Sequence, residues 1–298
     1  MIEQKEKYIN PFTDFGFKKL FGTEINKDLL MDFLNELIPN HGKIIELNYI
    51  HPEQLGRSES DRNAVFDIHC KTASGEYFIV EMQKAYQKYF KDRSVYYASF
   101  PIQNQGVKGG WNFELKAVYT VGILNFVFNE EEPNYYHTEV KLMDTVKKTV
   151  FYDKLTFIYL EMPKFNKTLE ELETHFDKWL FVLKHLPTLQ EMPKSLQERI
   201  FKKIFKVAEI AKMTKEEHAE YEHNWKRIND YKNTIDTARE EGEAKGKAEG
   251  KAEGLAEGEL KGKINIAKTM LSKGKDLEEI VEMTELTIEQ INQLKENK

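Results

Sequence analysis

Apolar positions recur along this chain with two periods, and the places where the period changes divide it. Leu29-Leu30, Phe33-Leu34 and Leu37-Ile38 return at helical spacing, so Lys27 to Ile38 is expected to form an amphipathic helix. Ile44 to Ile50 reads as a short strand and Glu53 to Asn63 as a polar loop. The period then falls to two. Ala64-Val65-Phe66-Asp67-Ile68-His69-Cys70 and Tyr77-Phe78-Ile79-Val80-Glu81-Met82-Gln83 read as buried strands, joined by a hairpin turn at Thr72-Ala73-Ser74-Gly75-Glu76. Alternation puts Glu81 and Gln83 on one face, Val80 and Met82 on the other, and Cys70 opposite Asp67. Helical spacing returns with Tyr86, Tyr89-Phe90, Arg93, Tyr96-Tyr97 and Phe100, up to Pro101, which is expected to kink or end the helix. Lys116 to Phe126 reads as a central strand, and Leu155 to Glu161 as another, closed by Met162-Pro163. Strands alternating with helices predict an α/β core up to about residue 165.

Beyond Thr168 the pattern is helical throughout. Leu169 to Leu186 and Leu196 to Met213 are amphipathic, separated by Pro187 and Pro193. Gly242, Gly246, Gly250, Gly254, Gly258 and Gly262 then recur every four residues in an Ala/Glu/Lys background. Pairs such as Glu241 with Lys245, Glu243 with Lys247, Glu257 with Lys261 and Glu259 with Lys263 favour helix by about 0.2–0.5 kcal/mol each. The glycines oppose it by about 1 kcal/mol each, so the segment alone is expected to be a frayed helix. A four-residue repeat drifts around a helix of 3.6 residues per turn and gives no straight seam. It reads either as a flexible helical spacer or as a close-packed self-association segment. Ile264 to Leu271, Leu277 to Met283 and a third helix capped by Thr287 then resemble a small helix-turn-helix, or equally a three-helix cap. Glu289, Gln290, Asn292, Gln293 and Lys295 are too weakly basic to establish DNA reading by the last helix.

At 298 residues, 40% hydrophobic and 12% aromatic, the chain can build a core without staples. Its single cysteine, Cys70, excludes an internal disulfide framework and multi-cysteine zinc sites. It reads as a core thiol in a reducing compartment. The N-terminal residues are charged and carry no signal peptide pattern. The most apolar stretch, Val118 to Phe128, is shorter than the roughly 20 residues a membrane span needs, and Asn125 interrupts it. The expectation is a soluble cytoplasmic protein without a membrane partner. A net charge of -6 confines any nucleic-acid binding to a local basic face. His218 and His223 lie on a polar helix without acids or cysteine at ligand spacing, so zinc is rejected. There is no phosphate-binding loop and no Gly-x-Ser-x-Gly elbow.

The chemistry concentrates in the paired strands. Two carboxylates on short buried strands, Asp67 and, fourteen positions on, Glu81, suit an oxygen-ligated metal, with the backbone carbonyl of Met82 as a third donor. Phosphodiester hydrolysis needs phosphate charge neutralised and a water made nucleophilic near neutral pH, and magnesium provides both. Lys84, Lys88 and Lys91 are spaced to share a helical face with Arg93 near its end. That face reads either as a phosphate track or as a solvated helix surface. Lys18 and Lys19 are further phosphate contacts, and Tyr96 and Tyr97 are expected in the core.

Asp67 with Glu81-x-Gln83 resembles the active-site pattern of the PD-(D/E)XK nuclease superfamily in a Glu-x-Gln variant. Further motifs narrow the resemblance to the recombination-promoting nuclease (Rpn) family, also described as transposase-like. They are Thr13-Asp14-Phe15-Gly16-Phe17-Lys18-Lys19-Leu20-Phe21-Gly22, Val65-Phe66-Asp67-Ile68, Val80-Glu81-Met82-Gln83, Arg93-Ser94-Val95-Tyr96-Tyr97, Lys116 to Phe126 and Leu160-Glu161-Met162-Pro163-Lys164-Phe165. The resemblance covers about residues 10 to 165, and a glycine-repeat tail is usual for the family.

It implies a restriction-endonuclease-like core, a mixed sheet flanked by helices, followed by an all-helical C-terminal region. It also implies a magnesium-dependent DNA endonuclease, with manganese able to replace magnesium, linked to recombination, mobile elements or phage defence. Asp67 and Glu81 would be the metal ligands, and Asp14 the acid from the first helix. Gln83 stands where most of the superfamily has lysine; it cannot titrate and can only orient a water. The expected organisation is a nuclease-like domain at 1–165, a helical region at 166–240, the glycine-repeat segment at 241–263 and the small tail at 264–298. The C-terminal helices are expected to make a homo-oligomer. The alternative is a catalytically weak or inactive DNA-binding, oligomerising protein.

Overall fold

The strands foreseen from alternation lie side by side in a computed structural model that describes residues 6–39, 42–50, 53–54, 64–65, 67–128 and 130–296. In chain order they are β1 (Leu47–Tyr49), β2 (Glu53–Gln54), β3 (Ala64–Val65), β4 (Ile68–Thr72), β5 (Tyr77–Gln83), β6 (Val118–Leu124), β7 (His137–Asp144) and β8 (Thr149–Glu161). β2 and β3 form a ladder of their own. The other six make one mixed sheet in the order β1-β4-β5-β6-β8-β7. Its centre, β5-β6-β8, is parallel, and the outer pairings are antiparallel. Every residue of β6 is buried, which accounts for its unbroken apolar run: a parallel strand is covered on both faces.

Helices α1 (Asp14–Phe21), α2 (Lys27–Leu37), α4 (His175–His185) and α5 (Arg199–Ala208) cover one face, and α3 (Phe90–Asn104) the other. Phe78, Val80 and Met82 of β5 face the first layer, while Ile79 meets Tyr97 and Phe100 of α3. Trp179 of α4 is fully buried against Phe21, Phe33 and Phe201, with ring centroids 5.8, 5.7 and 5.4 Å away. Its indole N–H donates to Asp32 Oδ2 at 2.7 Å, so the polar end of the ring is satisfied inside the core. Cys70 is buried in the same cluster, and burial raises its thiol pKa.

The start of α1 is set by a side-chain turn. Phe12 N–H donates to Asn10 Oδ1 at 2.8 Å, Thr13 Oγ1 donates to the Asn10 carbonyl at 2.8 Å, and Gly16 N–H donates to Thr13 Oγ1 at 2.8 Å. Thr13 is thus the N-cap. A Cβ on Gly16 would lie 2.1 Å from the Asn10 carbonyl oxygen, so only glycine fits this approach. Asp14 consequently sits at the first helical position.

Several expected boundaries move. Asp67 is not inside a strand: it occupies a bend just before β4, and Ala64–Val65 pair with Glu53–Gln54 instead, so part of the expected loop is a ladder. Phe66 and residues 55–63 lie outside the described residues. Pro101 does not end α3, which continues to Asn104. The cost is the bond its amide would have made to the carbonyl four residues back, and the helix ends three residues later. α4 begins later than expected because Thr174 and Asp177 form a capping box there. β7 and the first half of β8 were not foreseen, because this hairpin is exposed on both faces and has no alternating buried side.

The chain separates into two compact units, Met1–Arg227 and Ile228–Lys298. Helix α6 (Lys215–Ser272) begins in the first and continues into the second. The helix is unbroken through the glycine repeat, and apart from its own backbone nothing lies within 4 Å of where a Cβ would stand on those glycines. Of the expected pairs, Glu257 and Lys261 meet at 2.6 Å, while Lys263 pairs with Glu285. Ala267, Ile280, Leu286 and Ile291 form a small core between the end of α6, α7 (Leu277–Thr284) and α8 (Ile288–Glu296). Thr287 caps α8: its hydroxyl accepts from Gln290 N–H at 3.2 Å, and Gln290 Oε1 accepts from Thr287 N–H at 2.9 Å.

Candidate active site

β4 and β5 are antiparallel, with Ile68 opposite Val80, so one further step brings Asp67 against the end of β5. There Met82 N–H donates to Asp67 Oδ2 at 2.8 Å. In an extended strand a residue's N–H and C=O share one side, so the Met82 carbonyl also faces the Asp67 edge, past the last ladder pair. Glu81 points to the α3 face and is 4% exposed. Its neighbour across the sheet is Gly122, where a Cβ would come within 3.0 Å of Tyr159 and 3.3 Å of Phe90. The missing side chain lets α3 close on the sheet beside Glu81.

α3 brings a cation to the acid. The Arg93 guanidinium lies over Phe90 and Tyr97, 5.4 and 5.7 Å from their ring centroids, and Nη1 donates to Gln87. Nη2 is 3.7 Å from Glu81 Oε2, too long for a hydrogen bond. Nε and Nη2 are buried without a hydrogen-bond partner among the described residues. Gln83 Nε2 donates to Glu81 Oε2 at 3.5 Å.

Both acids resist ionisation. Burial, then the charge of Asp67, pushes Glu81 up to about 8, against the opposing pull of Arg93 and Gln83. Burial likewise raises Asp67, and Asp14 adds to it, whereas the Met82 N–H, Lys18 and Arg93 lower it. Asp14 therefore acts on Asp67 from the start of α1, while pairing with Lys18 at 3.0 Å. Among the described residues no group of three or more His, Cys, Asp or Glu side chains is arranged to hold a metal ion. The donor set is two crowded carboxylates and one backbone oxygen. It fits a hard divalent cation that keeps several waters, because such a charge would offset first the burial and then the neighbouring acid charge that raise both carboxyls.

The basic residues divide differently from the helical face that spacing suggested. α3 starts at Phe90, so Lys84 and Lys88 precede it and share no helical face with Lys91. Between them Tyr86 packs edge-on against Phe126, with centroids 5.6 Å apart. Lys84 is half-buried, which lowers its pKa, with Asp14 and Asp67 pulling the other way. It thus stands close to the acids. Lys88 and Lys91 are exposed, over Tyr89 and Phe128 at 5.4 and 5.1 Å. Lys19 is engaged with Glu217 at the start of α6. Tyr97 is half-buried, but Tyr96 is 43% exposed rather than in the core. Arg227 of α6 also acts on Lys84; at that distance in the chain nothing in the sequence connected it with the acids.

A family model described as PD-(D/E)XK nuclease family transposase matches residues 11–238. No curated protein and no solved structure matches. Among the described residues no helix is long and apolar enough to cross a membrane.

Proposed function

This chain belongs to the PD-(D/E)XK nuclease family transposases, and from that premise we propose that it is a magnesium-dependent endonuclease hydrolysing phosphodiester bonds in DNA. The observation that supports this most is the meeting of two acids that resist ionisation, Asp67 before β4 and Glu81 on β5, one hydrogen bond from each other through Met82. Asp67, Glu81 and the Met82 carbonyl would hold the ion. When bound there, magnesium, or manganese in its place, supplies charge neutralisation at the phosphate and lowers the pKa of a water.

The remaining steps belong to the chain. Gln83 hydrogen-bonds the attacking water and orients it but takes no proton. Arg93 turns Nε and Nη2, which make no hydrogen bond among the described residues, toward a phosphate oxygen, in a fork that suits phosphate geometry. Asp14 and Lys84 set the charge around Asp67, and Lys18, Lys88 and Lys91 contact flanking phosphates. Lys19, held by Glu217, contributes to the scaffold first. Self-association through the glycine-repeat helix belongs to the same reading, as does action in the cytoplasm on mobile or invading DNA.

The test is nicking of supercoiled plasmid by purified protein with magnesium, compared with Asp67→Ala. Cutting by wild type alone supports the reading, and equal cutting by both defeats it. The second reading, a binding protein that cuts weakly or not at all, draws support from the lack, among the described residues, of three His, Cys, Asp or Glu side chains arranged to hold a metal ion and from the non-titrating Gln83. It predicts that removing residues 240–298 abolishes DNA binding, whereas a nuclease core would retain part of it.

A further inference from the structure

β7 ends the sheet, and among the described residues no strand pairs with its outer edge. It is eight residues long. Val140, Leu142 and Met143 are 44, 50 and 47% exposed, and the same hairpin exposes Val150 and Phe151 at 55 and 81%. A long open edge with apolar side chains is a template for another strand unless it is blunted. The irregularities in this hairpin do not blunt it. Lys141 pairs with Thr156, Leu142 with Tyr152 and Met143 with Val150, so the extra residues, Phe151 and Asp153 to Leu155, all belong to β8. β7 itself gains no bulge.

From the sequence of this edge we infer that it is the interface with a second copy of the chain, joined by antiparallel pairing of β7 with β7 about a two-fold axis through Val140. The register follows from symmetry. Directly opposed residues of an antiparallel pair share a face, so a two-fold axis perpendicular to the sheet passes through a residue, not between two. Centred on Glu139, the pairing sets glutamate against glutamate. Centred on Lys141, it opposes two lysines, and centred on Leu142 it puts Val140 against Asp144. Centred on Val140, it opposes the two valines, sets each Thr138 against Leu142, and places Glu139 of each copy against Lys141 of the other. Glu139 and Lys141 already form an ion pair within the strand. That pair is half exposed and worth little, so exchanging it between strands costs little, and the charges act by excluding the other registers.

The joined sheet has six strands from each copy. Seven strand spacings of about 4.8 Å separate the two β5 strands, roughly 34 Å before twist. The interface does not depend on the nuclease reading.

Sedimentation of the full chain, together with oxidative cross-linking of Val140→Cys, tests the inference. Opposed Cα atoms in such a pair lie about 4.5–5.5 Å apart, within disulfide range, and Cys70 is buried. The wild type should be dimeric. Glu139→Lys and Lys141→Glu, each setting like charges together twice, should weaken the dimer roughly tenfold or more. The double exchange Glu139→Lys/Lys141→Glu should restore it, and Val140→Cys should cross-link two copies. A monomeric wild type, single variants as dimeric as wild type, a double exchange that fails to restore pairing, or no cross-link at Val140→Cys would each overturn it. Plasmid nicking by the same samples reads the nuclease function separately.

Discussion

Replacing Glu81 by glutamine is expected to stabilise the metal-free protein above neutral pH. The carboxyl is 4% exposed and has Asp67 beside it, and its pKa rises from 4.5 to about 8. Below about pH 4.5 it is protonated in both the folded and the unfolded chain and contributes no pH dependence. Between about 4.5 and 8 the folded chain keeps a proton that the unfolded chain has released, so wild-type stability falls as pH rises. At about 1.4 kcal/mol per pH unit the loss reaches roughly 5 kcal/mol by pH 8. An amide of the same shape carries no charge and escapes it. Urea unfolding of wild type and Glu81→Gln in chelator, at intervals from pH 5 to 8.5, should give curves that converge at the acid end and separate by several kcal/mol at the alkaline end. Saturating magnesium should restore the wild type by about 2.7 kcal/mol at a hundred times its dissociation constant, with little effect on the variant. A variant less stable than wild type at pH 8, or a difference that ignores pH, would refute the reasoning.

Other changes test the surrounding structure. Arg93→Gln removes a positive charge from beside Glu81; calorimetry should find tighter manganese binding, while plasmid nicking drops at least tenfold. Gly16→Ala forces a methyl against the Asn10 carbonyl and should cost about 1–3 kcal/mol in unfolding, with cleavage falling further than stability because Asp14 moves with α1. Lys164→Met strips the partner from the buried Glu161, paired at 3.1 Å, and should cost about 3–5 kcal/mol. Adding Glu161→Gln to it should recover part of that loss in the same melts.

The parallel centre of the sheet was legible because both faces are covered: Val118 to Leu124 and Tyr77 to Gln83 are apolar runs that water would not tolerate, and the structure keeps nearly all of them buried. The flanking helices, with Leu29 to Leu37 on one side and Phe90 to Phe100 on the other, were legible for the same reason. What escaped was decided elsewhere. β7 lacks a buried face and left no alternating pattern. Asp67 was assigned to a strand because its neighbours are apolar, whereas its place is fixed by Met82 across the ladder. The shared lysine face was misread because spacing along a sequence reveals a face only where the helix has begun, and this one begins at Phe90. Arg93 reaches Glu81, and Arg227 reaches Lys84, through tertiary packing. Arg93 could be seen as a motif residue and as the end of a basic helix but not as the partner of Glu81, and Arg227 not at all.

One experiment bears on the acid pair most directly: manganese occupancy and plasmid nicking followed in the same samples of wild type, Asp67→Ala and Glu81→Ala. Binding and cutting should rise together with metal concentration in the wild type, and both should be lost in each variant while the melting cooperativity stays intact. Undiminished cutting by Glu81→Ala, or wild-type protein that binds manganese at these acids and never nicks DNA, would contradict the account.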